Sequence, residues 1–160
     1  MILVNYGRLR FGDKMTILTV DRKEFEKKAG KVTKELEDKI TMMGTPIEEV
    51  SDAEVSVEVF PNRPDLLSMG NFARAVNQFN GKGKVASFKI NKPESDFDVT
   101  IDKSVKSVRP HTVCAIVKGL KFDDAKIKEI VDIQEKLHNS LGRKRKKLAI
   151  GIYPLDKINL

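Results

Sequence analysis

The chain has no tryptophan, and its 160 residues include only two tyrosines, two histidines and one cysteine. Each scarcity excludes something. A lone cysteine, Cys114, allows no internal disulfide and no cysteine-based zinc site. It lies in the apolar run TVCAIV, where a free thiol reads as a buried, inert side chain, and a reducing cytoplasm fits that usage. No apolar stretch approaches the ~20 residues needed to span a membrane, so no membrane partner is expected. The opening MILVNYGRLR has too short an apolar core, with its basic residues after that core, to read as a signal peptide.

Catalytic motifs are missing as well. There is no Walker sequence, no Gly-rich dinucleotide loop, no HExxH and no GxSxG. His111 follows a proline in a strand-like run, and His138 lies on what reads as the polar side of a long helix. Neither has a carboxylate or cysteine pattern at metal-ligand spacing, so both read as structural or solvent-facing. The numerous carboxylates cannot be paired across space by spacing alone. No catalytic residue, no metal ligand and no cofactor is assigned to this chain.

Charge is what the sequence has in quantity. Charged residues make up 33 %, and 30 Lys and Arg against 23 Asp and Glu give a net charge of +7. That excess favours an anionic partner, with nucleic acid ahead of acidic protein or a membrane surface. The hydrophobic share of 40 % supports a real core, though not a generous one.

Periodicity then gives an α+β chain. TILTV from Thr16 alternates as a strand should, and Asp21 with Glu24 forms a capping-box pattern for a helix through Ala29. A second helix follows from about Val32 to Met43, stopped by Gly44. Ala53, Val55, Val57 and Val59 alternate with polar residues, which predicts a half-buried antiparallel strand. Leu66 to Asn80 reads as a third helix, with Asp65 as its cap. Short strands are expected at Val85–Ile90 and FDVTID, and a longer one from His111 to Leu120. Asp123 or Asp124 caps a long helix to Leu141, with Gly142 at its C-terminal cap, and LAIGIY forms a final strand. These elements divide into an appendage (1–14), a small antiparallel sheet with about three helices (15–92), and an incomplete α+β domain (93–160), the boundary falling near Lys92–Ser95.

Two strings carry most of the functional information. The first is the basic run Arg143, Lys144, Arg145, Lys146 and Lys147. It reads either as a solvated helix end that complements the helix dipole or as a phosphate-contacting patch. The second is Asn62, Arg63, Pro64 and Asp65, following Pro61 between two apolar stretches. Each residue but one has a turn-building reason to be there. Arg63 does not, and it is expected to be partly buried and to pin a carboxylate or reach a backbone carbonyl.

VEVFPNRPDLLSMGNFARAVNQF, followed about 60 residues later by IQEKLHNSLGRKRKKLAIGI and LDKI, resembles the β subunit of archaeal and eukaryotic phenylalanyl-tRNA synthetase. The resemblance runs from about Met15 to Leu160. It implies the N-terminal domain of that subunit plus the start of its editing domain. It also implies a complete enzyme of two α and two β subunits that joins phenylalanine to tRNA with ATP and magnesium. The implied partners are the α subunit, the rest of the β subunit and tRNA; the basic run, by its charge, is the candidate nucleic-acid contact. Relatives commonly read GIHDLDKI where this chain reads GIYPLDKI, so Tyr153 and Pro154 replace a histidine and an aspartate. The alternative reading is a free-standing RNA- or DNA-binding, or regulatory, module derived from that subunit. For the isolated chain, dimerisation or greater mobility of residues 96–160 is expected.

Overall fold

In the computed structural model, the described residues are 16–85, 87, 89–92 and 97–158, together with the backbone of 2–6. The chain forms two compact units, residues 13–86 and residues 1–12 with 87–160.

In the first unit, β2 (Thr16–Asp21) and β3 (Ile47–Val50) flank β4 (Glu54–Val59) in an antiparallel sheet. Alternation places Leu18, Val20, Val55, Val57 and Val59 on the buried face. α1 (Arg22–Ala29) and α2 (Lys34–Met42) pack on the sheet, and α3 (Met69–Phe79) packs on both helices. Phe25 of α1 and Phe72 of α3 are fully buried and stacked, with ring centroids 5.4 Å apart. Burying each such side chain contributes about 1.5–3 kcal/mol.

The helix boundaries follow from local chemistry. The Asp21 carboxylate accepts the Glu24 N–H at 2.8 Å, as the capping pattern predicts. Gly30 then leaves α1 at φ 97°, a backbone state that favours glycine. Thr33 caps α2 by accepting the Leu36 N–H at 3.3 Å. The third helix departs from expectation. A 3-10 turn occupies Pro64–Leu66, and Ser68, not Asp65, caps α3 by accepting the Asn71 N–H at 3.2 Å.

In the second unit, β1 (Ile2–Tyr6) lies between β5 (His111–Ala115) and β6 (Leu148–Ile152), antiparallel to both. The opening residues, read above as an appendage, therefore supply the middle strand of a sheet. Their partners are more than 100 residues away, a separation that no local pattern reports. Residues 7–14 of that stretch lie outside the described residues. α4 (Asp124–Asn139) packs on β6.

The expected strand FDVTID is irregular, with Val99 and Ile101 exposed and, among the described residues, no strand paired to it. The described residues of Val85–Ile90 are likewise irregular. The strand expected to reach Leu120 ends at Ala115. The two units also differ in burial. Of the 16 buried apolar side chains among the described residues, only Leu148 lies in the second unit. Along α4, Ile127 and Val131 are about half exposed.

Candidate nucleic-acid interface

Charge separates the units. Residues 13–86 contain 12 Lys and Arg against 13 Asp and Glu, and the rest of the chain 18 against 10. The entire cationic excess belongs to the unit that carries the basic run.

That run is a backbone construction before it is a charge cluster. Past Asn139 the chain must turn from helix to strand within eight residues. The Gly142 N–H donates to the Leu137 carbonyl at 2.8 Å. A Cβ at Gly142 would stand 2.7 Å from the His138 carbonyl oxygen and 2.9 Å from that of Leu148, so backbone passes against backbone there. Arg143, Lys144 and Arg145 then take φ values of 49°, 55° and 64°, a left-handed turn made without glycine. The Arg145 N–H closes onto the His138 carbonyl at 3.2 Å, and the Lys147 N–H onto the Gly142 carbonyl at 2.9 Å.

This winding divides the five cations. Lys144, Arg145 and Lys146 are exposed and Arg143 is half-buried. Lys147, the residue immediately before β6 and buried Leu148, is 7 % exposed. Lys147 therefore stands apart from the patch, contrary to its place in the sequence string. The Arg145 guanidinium donates to the Glu135 carboxylate, and Arg109 donates to the Arg145 carbonyl.

The Asn62–Asp65 corner lies in the other unit. The Arg63 N–H donates to the Phe60 carbonyl at 2.9 Å, and Arg63 precedes Pro64, the first residue of the 3-10 turn. Its guanidinium grips the Asp65 carboxylate bidentately, Nε to Oδ1 at 3.0 Å and Nη2 to Oδ2 at 2.9 Å. This bond holds the Asp65 carboxyl below its usual range and raises Arg63. The expected carboxylate partner for Arg63 is thus its own neighbour, and the corner is a closed structural unit.

No protein-family model matches the chain. The phenylalanine–tRNA ligase β subunit of Archaeoglobus fulgidus is 39 % identical over 145 residues, which cover 90 % of this chain and 26 % of that protein. The chain is a homologue of phenylalanine–tRNA ligase β subunits. The β subunit of Methanococcoides burtonii is 37 % identical over 147 residues, again 90 % of this chain and 26 % of that protein. The crystal structure of an N-terminal fragment of the phenylalanyl-tRNA synthetase β subunit from Pyrococcus horikoshii superposes with a TM-score of 0.72 at 29 % identity, covering 91 % of this chain and 44 % of that one. The chain spans about a quarter of the length of the curated β subunits it matches.

Within this β-subunit fold, sequence reasoning missed the residues that brace the basic turn. His138, read as lying on the polar side of α4, is 3 % exposed. Its Nε2 accepts the Ile150 N–H at 2.8 Å, and its Nδ1 lies 3.5 Å from the Glu135 carboxylate. Gln134, one helical turn earlier, donates to the Ile150 carbonyl. The i, i+4 spacing of Gln134 and His138 was the available signal, but the strand it serves was not visible. Cys114, expected to be buried, is partly exposed, and His111 is exposed on β5. Among the described residues, no group of three or more His, Cys, Asp or Glu side chains is placed to hold a metal ion.

Proposed function

We propose that the chain serves as the N-terminal region of a phenylalanine–tRNA ligase β subunit, contributing to subunit assembly and tRNA positioning in the ATP-dependent attachment of phenylalanine to tRNA. The observation that carries this reading is 39 % identity across 145 of its residues to a curated β subunit. Its partners in this reading are the α subunit, the remainder of the β subunit and tRNA, in the cytoplasm. In this reading ATP and magnesium belong to the complete enzyme. Residues 93–160 correspond to the opening part of the editing domain, without an assigned catalytic residue.

The tRNA contact falls on Lys144, Arg145 and Lys146, the exposed members of the basic run. Such contacts neutralise phosphates and release counterions, so they position the RNA without reading its sequence. The test is tRNA affinity as a function of salt for the wild type and for the triple variant K144Q/R145Q/K146Q. If all three residues meet phosphates, the slope of log affinity against log salt should flatten by about two to three. An unchanged slope would return these residues to solvated surface.

A further inference from the structure

The Glu135 carboxylate stands between the basic turn and the seam that holds α4 to β6. On the seam side, His138 and Gln134 take the N–H and C=O of Ile150, so α4 closes the outer edge of β6. A backbone N–H can only donate. Nε2 of His138 therefore meets Ile150 with its lone pair, and the ring proton sits on Nδ1. That Nδ1 is buried and, among the described residues, makes no hydrogen bond. Glu135 Oε1 lies 3.5 Å from it, beyond the roughly 2.7–3.2 Å of an N–H···O bond. The same oxygen accepts the Arg145 guanidinium.

Oε1 thus has two claimants, and Arg145 holds it. A buried donor left unmade is costly, whereas an ion pair with both side chains about half exposed contributes little. Arg145 can release Glu135 without moving the turn, because its main chain is pinned on both sides. Its N–H donates to the His138 carbonyl at 3.2 Å, and its carbonyl accepts from Arg109. A phosphate offers the guanidinium the same two-oxygen partner as a carboxylate, so it can take the place of Glu135. The freed Oε1 then has the His138 Nδ1–H beside it. Closing that bond fixes the ring at both nitrogens, and a carboxylate on one ring nitrogen makes the other a stronger acceptor for Ile150.

We propose that Glu135 is a shared carboxylate that couples phosphate at Arg145 to the α4–β6 seam. Without phosphate it pairs with Arg145; with a phosphate bound there it turns to His138 and locks β6 to α4. The inference rests on the reading of the basic run as the tRNA contact. Its direction is the reverse of a brace. If the Arg145–Glu135 pair only buttressed the turn, losing it would loosen the seam, whereas here losing it tightens the seam.

The test is amide hydrogen exchange at Ile150 in the intact chain, with and without saturating unfractionated tRNA, for the wild type, R145Q and E135A. In the wild type, tRNA should slow Ile150 exchange by about two- to tenfold, the effect of one added net hydrogen bond on a local opening. R145Q should show the slow rate without tRNA and no further slowing with it. E135A should exchange at least as fast as the wild type and should not respond to tRNA. Ala149 and Gly151, whose main chains face β1, should change little throughout. The tRNA affinity of R145Q separates the ways of failing. An affinity and salt slope equal to the wild type would show that Arg145 meets no phosphate, and the coupling falls together with its part in the tRNA reading. Weakened binding, but with Ile150 exchange in R145Q faster than or equal to the wild type, overturns the coupling alone. A wild-type Ile150 rate indifferent to tRNA overturns it as well. So does slowing that persists in E135A, since tRNA would then be shielding the amide directly.

Discussion

Exchanging the expected cap of α3 for the observed one gives a direct test of how the Asn62–Ser68 segment works. Ser68 is buried, and its Oγ accepts the Asn71 N–H at 3.2 Å. Ser68→Ala leaves that donor without a partner at a helix start that water reaches poorly. The cost should be about 0.5–2 kcal/mol, in the upper part of the range because of the burial. Asp65→Ala removes only an ion pair whose carboxylate side chain is 58 % exposed, which should cost about 0–1 kcal/mol after solvent screening. The two variants should therefore separate clearly in urea unfolding, with Ser68→Ala the weaker protein. Both tyrosines, Tyr6 and Tyr153, belong to the other unit, so fluorescence is a poor reporter. Helical circular dichroism, or exchange of the α3 amides, reads the right element. The pH dependence adds a second check. Arg63 depresses the Asp65 carboxyl below its usual 3.8, so the Asp65 contribution is fully present above that value. It is lost as pH falls through the lower folded-state value, where the wild-type and Asp65→Ala curves should converge. If Asp65→Ala cost as much as Ser68→Ala, the carboxylate would be acting as the cap and the assignment would fall.

Two further perturbations address the second unit. His138→Ala should strand the Ile150 N–H beneath α4 at a cost of about 1–3 kcal/mol, seen as faster exchange of the Ile150 amide. Unchanged exchange there would show that α4 does not seal the β6 edge. Gly142→Ala forces a methyl group against two backbone carbonyls and should destabilise the unit by about 1–3 kcal/mol or more. A thermal unfolding profile matching the wild type would contradict that close approach.

Local structure was legible in the sequence wherever one segment contained its own explanation. Asp21 and Glu24 announced α1, and the alternation of Val55, Val57 and Val59 announced β4; of the helical stripe Leu66, Met69, Phe72, Ala73, Val76 and Phe79, the structure buries Leu66, Phe72, Ala73 and Val76 and leaves Phe79 about half exposed. What escaped was set by residues distant in the chain. β1 became a strand because β5 and β6 flank it, whereas FDVTID, with a similar alternation, is irregular and has no strand paired to it among the described residues. The candidate interface divides the same way. The string Arg143–Lys147 was obvious as charge, but the burial of Lys147 depends on where β6 begins, and the Arg145–Glu135 and Arg109–Arg145 contacts depend on the turn. Arg63 was recognised as lacking a turn-forming reason, yet its partner, two residues on, had already been assigned to capping.

The left-handed turn at Arg143, Lys144 and Arg145 has a consequence for anyone who engineers this chain. A side chain in that conformation costs about 1–2 kcal/mol relative to its preferred backbone states, and glycine at the same positions would relieve most of it. A screen that ranks variants by melting temperature alone will therefore favour glycine, or asparagine, at these positions, and each such gain removes a cation from the basic run. Thermal selection and retention of positive charge thus pull in opposite directions over three adjacent codons. A stabilised variant from such a screen would have to be assayed for anion affinity before being accepted as an improved version of the same protein.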